Sequence, residues 1–231
     1  MTDSADPRAT PAQQPGVAGV VDLLGMLAYG ELRAFERLAE DAGKATDLEA
    51  ELAMVRLAAT QIDDYRRIEG RLVDLGSDAL EAMTPFRAAI DGYHAHTTPR
   101  SWLEGLVKAY VGDGLAADFA SEVARFCDAD TRELVEAVTD DAALTDFIPP
   151  TVRKAIEADP TVGGRLALWG RRLVGEAMSQ AQRVATDRPD LTDLIAGTAG
   201  DPNRDLAAIS EMFSRLVQRH SQRMAALGLS A

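Results

Sequence analysis

Apolar residues recur along this chain at alternating steps of three and four, the spacing that lines one face of an α-helix, and they do so in four long stretches. The first runs from Val17 to Ala42, where Gly43 supplies a stop, and the second starts behind Asp47, a good N-cap, and runs to Leu75 before Gly76. The third spans Pro99 to Cys127, opening on a Pro-Arg-Ser-Trp turn, and the fourth spans Thr161 to Thr186. Between the second and third lies a link from Ser77 to Pro99, long enough to cross a bundle end to end, with a short helix expected round Phe86 to Tyr93. Two further short helices are expected at Thr131 to Thr139, behind an Asp130 cap, and at Pro150 to Ala158. Residues 1–16, polar and rich in Pro, Ala, Asp and Thr, read as a disordered tail, residues 17–187 as a four-helix bundle, and residues 188–231 as a loop and a last helix, Asn203 to Leu227. Leu206, Ile209, Phe213, Leu216 and Val217 form one stripe on that last helix, which is expected to pack on the bundle or at a dimer interface.

Each of the four long rows is apolar at its ends and polar near its middle. The rows read Val20, Leu24, Leu27, Glu31, Phe35, Leu38; Met54, Leu57, Gln61, Asp64, Ile68, Leu72, Leu75; Leu103, Leu106, Tyr110, Asp113, Ala117, Ala120; and Val162, Leu166, Trp169, Leu173, Glu176, Gln180, Val184. Every helix thus turns an acid inward at the same level. A buried carboxylate costs several kcal/mol unless it is paired or metal-bound, so a layer of them demands positive charge, shared protons or water. Gln61, Ser179 and Gln180 are candidate donors, and Arg172 and Arg183 are candidate counter-charges.

Composition narrows the picture in three ways. Ala, Leu, Arg, Glu and Met dominate and aromatics are only 5% of residues, which fits an all-α protein. A formal net charge of -13 repels phosphate backbones at long range and disfavours tRNA or any other nucleic acid as a partner. The single cysteine, Cys127, allows no intrachain disulfide and reads as a small core residue in a reducing compartment. With no signal-peptide pattern, and an apolar stretch at Val17 to Tyr29 that is interrupted by Asp22, a cytoplasmic location with no membrane span is expected.

The stretches Tyr29-Gly30-Glu31-Leu32-Arg33-Ala34-Phe35-Glu36, Trp102-Leu103-Glu104-Gly105-Leu106-Val107-Lys108-Ala109-Tyr110 and Leu173-Val174-Gly175-Glu176-Ala177-Met178-Ser179-Gln180 resemble an actinobacterial branch of the ferritin-like superfamily. That branch is grouped with the tRNA methylthio-isopentenyladenosine hydroxylases, and the resemblance extends over roughly Val17 to Ala185. It implies a ferritin-like four-helix bundle and, for an active member, a non-haem di-iron centre that uses dioxygen to hydroxylate an isopentenyl group on a tRNA base. In such bundles two helices give one Glu each and two give a Glu-x-x-His pair. Position by position, the ligand set this implies is Glu31, Gln61, Asp64, Asp113 and Glu176. Here the second helix reads Gln61-Ile62-Asp63-Asp64 and the fourth reads Glu176-Ala177-Met178-Ser179, so both histidines are replaced.

The three histidines, His94, His96 and His220, fall in the link and the last helix, and are expected away from the layer. An oxygen-only set suits Mg, Mn or Ca better than iron. Three readings of the layer follow: a hydrogen-bonded remnant, a non-redox divalent metal site, or a working di-iron site. Tyr65 and Tyr110 are expected in the core, and Arg66, Arg67 and Arg71 to pair with neighbouring acids along their helix. No glycine-rich phosphate loop, Cys-x-x-Cys pair or nucleophile elbow occurs. The sequence therefore favours a ferritin-like protein with a degenerate metal site and no cofactor, acting as a structural or interaction module and forming a homodimer. The rival is an oxygen-dependent, tRNA-modifying hydroxylase with an unusual carboxylate-rich centre.

Overall fold

The computed structural model describes residues 16–196 and 202–231, with side chains described for residues 16–195 and 210–231. The tail expected over residues 1–16 and the outer residues Leu206 and Ile209 of the last helix's stripe thus lie almost entirely outside the described part. Helix α1 is Val17–Ala42 and α2 is Leu48–Asp74, the latter started by Asp47, whose side chain accepts from the Ala50 amide at 2.9 Å. The link folds into α3, Ala79–Met83, a 3₁₀ turn at Thr84–Phe86, and α4, Arg87–His96. The third long helix is a continuous run in three segments, α5 (Trp102–Val107), a π turn (Lys108–Asp113) and α6 (Gly114–Ala124). Then come α7 (Ala129–Val138), α8 (Ala142–Ala158), α9 (Thr161–Asp187), α10 (Pro189–Ala196) and α11 (Pro202–Ala226).

Three expectations change. Asp128, rather than Asp130, caps α7, accepting from the Thr131 amide at 3.0 Å. Helix α8 runs straight through Pro149 and Pro150. A proline inside a helix removes a hydrogen bond and crowds the preceding turn, but Phe147, Ile148 and Val152 face the core here, and that burial holds the two halves together. Residues 189–196, expected as loop, form α10 because Leu191 and Ile195, one turn apart, bury their side chains against α1 and its neighbours.

α1, α2, the α5–α6 run and α9 make the four-helix bundle, so the fold is all-α, with short helices and α11 packed outside. Its apolar interior is in two parts. One joins the first half of α1 (Leu23, Leu24, Leu27) to the second half of α2 (Ile68, Leu72) and to α6 (Ala120, Val123). The other joins Leu38, Met54, Leu57, Leu106, Val111, Leu166 and Leu173 with Ile148 and Val152 of α8. Between them lie the polar middles of all four helices. Among the described residues no helix is long and apolar enough to cross a membrane.

Helix α11 closes the side of the bundle formed by the third helix and contributes to both cores, Met212 and Leu216 to the first and Met224, with Leu227 just after the helix, to the second. Its inner face also carries arginines at every fourth position. Arg215 and Arg219 reach the buried Glu122, at 2.8 and 2.9 Å, and Arg223 pairs with Asp118 and reaches Asp141 at 3.1 Å. Phe213 and Val217, assigned by sequence to the same stripe as Leu216, point outward and are exposed.

Close packing depends on small residues at particular points. A Cβ on Gly25 of α1 would fall 2.2 Å from the Ala82 carbonyl oxygen of α3, whereas a Cβ on Gly70 of α2 would meet nothing within 4 Å. Gly25→Ala is therefore expected to destabilise the fold by about 2 kcal/mol through forced separation of the two helices. Gly70→Ala, which only restricts the unfolded chain, should stabilise it by about 0.5–1 kcal/mol. Urea denaturation of the two variants measures both, and equal effects would contradict the packing described.

Candidate functional site

The layer between the two cores is built from side chains of α1, α2, α4, the π turn and α9. Glu31 and Arg37 come from α1, Gln61 and Asp64 from α2, Asp113 from the end of the π turn, Glu176 and Gln180 from α9, and Tyr93, His94 and His96 from α4. The spacing along α1 turns Leu27, Glu31, Ala34 and Leu38 toward the interior. Ala34 is accordingly buried and Phe35, expected there, is on the surface.

Arg37 is the counter-charge. Its Nη2 donates to both Asp113 oxygens, at 2.7 and 2.6 Å, and its Nη1 lies against the His94 ring, 2.9 Å from Nε2 and 3.3 Å from Nδ1. Burial pushes the Asp113 carboxyl up, and the Arg37 and Lys108 charges pull it back. His94, desolvated and facing the same two cations, is held far below the usual imidazole range, so it is a neutral acceptor. Asp64 is buried and takes a hydrogen bond from Arg67 at 3.2 Å. Glu31, half-buried and in the field of Asp64 and Asp113, is pushed up to about 8, chiefly by burial and then by those two charges, with Arg37 opposing.

Glu176 sits at the other edge, accepting from Gln180 Nε2 at 2.7 Å and lying 2.8 Å from His96 Nδ1; these contacts hold its carboxyl below the ordinary range. Arg172, a candidate counter-charge in the sequence, instead caps α4 by donating to the His96 carbonyl at 2.7 Å. Lys108, fully buried, donates to the Thr97 carbonyl at 2.7 Å, and burial lowers it to about 8. The Tyr93 hydroxyl is buried without a hydrogen-bond partner, close against Gly112, where a Cβ would meet it at 2.3 Å.

The structure thus brings Glu31, Asp64 and Asp113 into one electrostatic field, ties Glu176 to His96 of α4, and leaves Gln61 half-buried on α2. It corrects the expectation for the histidines, because α4 carries His94 and His96 back over the layer, while His220 is buried on α11 with its Nδ1 unpartnered. Arg37 and Lys108 were missed by sequence reasoning. Arg37 lies off the three-and-four row, and Lys108 reads as a surface residue until α8, α9 and α11 cover the third helix on every side. A basic residue six positions after an inward acid on the same helix was the available signal for Arg37. Among the described residues no three His, Cys, Asp or Glu side chains converge as metal ligands do.

The raised Glu31 carboxyl has a pH consequence. The folded chain keeps a proton that the unfolded chain gives up near its ordinary value of 4.5, so this contribution to stability is full below that pH and is lost as pH rises through about 8. Glu31→Gln mimics the protonated form. The variant should match the unaltered chain at acid pH and exceed it by about 2 kcal/mol on the alkaline side. Chemical denaturation across that range gives the difference, and a gap that does not change with pH would remove Glu31 from the layer's field.

Residues 16–198 match the sequence model of the ferritin-like domain of actinomycetes. No curated protein matches the chain. Among solved structures, a Synechococcus protein described as having aldehyde deformylating oxidase activity shares the fold, with a TM-score of 0.64 over 90% of this chain and 92% of that one at 19% sequence identity. Since the family match covers far more than half of its length, the chain belongs to the ferritin-like domain family of actinomycetes.

Proposed function

We propose that this is a ferritin-like protein whose di-metal centre has been replaced by an internal ion-pair network, and that it works as a non-catalytic structural or interaction module. The observation that carries this reading is Arg37, whose guanidinium bonds both oxygens of Asp113 and a ring nitrogen of His94 at hydrogen-bond distances. A di-iron centre needs those lone pairs for metal and normally leans on imidazole beside carboxylate. A fixed cation among them adds repulsion to the loss of ligands. The residues present do not fit a di-iron group. His94 is turned to Arg37, His96 pairs with Glu176 at the layer's edge, and Gln61 and Ser179 stand where the family pattern suggested by the sequence has ligands.

The same resemblance, in the stretches round Glu31 and Glu176, relates the chain to di-iron tRNA hydroxylases by descent, and the net charge of -13 argues against tRNA as its present partner. A homodimer through the outer face of α11 is the quaternary state we favour, because Phe213 and Val217 lie exposed one turn apart on that helix. A reducing, cytoplasmic setting accords with a single half-buried cysteine, Cys127, whose thiol is pushed up to about 11 by burial and is correspondingly unreactive.

A second reading, an oxygen-dependent hydroxylase with a carboxylate-rich centre, is favoured by one observation: Glu31, Asp64 and Asp113, from three helices, lie close enough to raise Glu31 by mutual repulsion, which a bound cation would relieve. Metal analysis separates the two. Protein expressed in iron-supplemented medium is expected to carry well under one iron per chain and no ligand-to-metal absorption in the near ultraviolet and visible; about two irons per chain, the content of a di-iron bundle, would establish the second reading.

A further inference from the structure

We propose that the outer face of α2 is a docking surface for α2 of a second copy of this chain, the two helices crossing antiparallel near Ala59. A bundle helix ordinarily turns one apolar row inward and polar residues outward, but α2 carries two rows. Opposite the buried Leu57, Ile68 and Leu72 stand Leu48, Leu52, Val55, Ala59, Ile62 and Val73, at steps that place them along one side of the helix. Leu48, Leu52, Val55 and Val73 are 67, 46, 48 and 64% exposed. Single exposed apolar side chains are ordinary, whereas a row of them along a helix of 27 residues, about 40 Å long, suits pairing with another helix. The polar layer lies on the inner side of α2 and takes no part.

Charge decides the occupant. The exposed acids Asp47, Glu49 and Glu51 stand at the start of α2, and the exposed Arg66 and Arg67 lie toward its other end, so a second α2 running the opposite way brings acid toward base at both ends. Charge also selects the register. Aligned over their full length, the two rows set Leu48 against Val73 of the other copy and Ala59 against its Ile62, and Arg56 then falls beside its Asp63. Sliding one helix by a heptad sets Arg56 against Arg56 and Glu49 against Asp63, like charge against like. In the first register the Arg56 to Asp63 contact occurs twice by symmetry, and the small, exposed Ala59 at the crossing permits an approach of about 8–10 Å between axes. Arg66 and Glu69 interrupt the row, which makes the contact a weak one. It is separate from the α11 face favoured above, because α2 packs on α1, α3, α7 and α8, and α11 on α6, α10 and the π turn.

Sedimentation velocity of the full chain is the test, at about 0.15 M salt, where charges more than about 8 Å apart are screened. The unaltered chain is expected to self-associate reversibly at micromolar concentrations, as a small, partly polar interface does. Ala59→Arg, at an exposed position where arginine suits a helix, should weaken the association at least about tenfold by forcing the helices apart and placing like charges at the crossing. Arg56→Glu alone should weaken it as well, and Arg56→Glu combined with Asp63→Arg should restore it. Phe213→Ser with Val217→Ser, which removes the α11 face, should leave the α2 contact in place. If the unaltered chain forms more than a dimer and Ala59→Arg reduces it to a dimer, both faces are supported. Association unchanged by Ala59→Arg overturns the inference, and its loss on Phe213→Ser with Val217→Ser then leaves the α11 dimer standing. A charge-reversal pair as weak as Arg56→Glu alone overturns the antiparallel pairing and the inference with it. A chain that stays monomeric throughout overturns both contacts.

Discussion

Charge buried between apolar layers has to be answered from inside the protein, and here the answer is a guanidinium on a carboxylate. Asp113 and Arg37 lie between two hydrophobic cores, one built chiefly from α1, α2 and α6 and the other from the opposite halves of α1 and α2 with α5, α8 and α9. Removing either partner would leave the other part-buried without its counter-charge, which costs more than the pair itself contributes. The consequence extends beyond the pair. To receive Arg37, the third helix must present Asp113 inward, and the π turn over Lys108–Asp113 sets that phase. The link must return over the layer for His94 to accept from the same guanidinium, and α4 does so, tied to α1 by the Tyr29 hydroxyl on Asp91 at 2.7 Å.

The layer also divides its titrating groups by edge. Glu31 and Asp113 share a crowded interior in which burial raises carboxylates, while Glu176, with His96 and Gln180 as donors, stays ionised at the rim. Carboxylates at nearly the same level therefore behave oppositely, because Glu31 is desolvated and then repelled by its acidic neighbours, while Glu176 is held by donors. Catalytic sites use such a separation of acidities, but it arises equally wherever a polar layer runs from the interior of a bundle to its surface.

What the sequence disclosed follows from what periodicity can carry. The bounds of α1 were legible to the residue, because Gly43 stops an uninterrupted row, and the Asp47 cap of α2 was legible from its side chain. The polar level itself was legible, since Glu31, Asp64, Asp113 and Glu176 each fall in an apolar row. Partners were not. Arg37 is off the row by geometry, His94 reaches the layer only through the path of α4, and Lys108 is buried by helices remote in sequence. Phe35 and Ala34 show the limit within a single helix, where one residue of phase, about 100° of rotation, exchanges core for surface. Helix α8 shows another, since two adjacent prolines announce a break that tertiary packing overrides.

Helix α11 has a mechanical role that its position outside the bundle conceals. Two cores separated by a polar layer share few apolar contacts, and left to themselves they would behave as separate units that open at different free energies. α11 places Met212 and Leu216 in one and Met224, followed by Leu227 of the next turn, in the other. Its arginines meanwhile fasten it to Glu122 and Asp118 along the helix that passes through the layer. A segment lying beyond the family-matched residues 16–198 therefore spans both halves of the molecule as a splint.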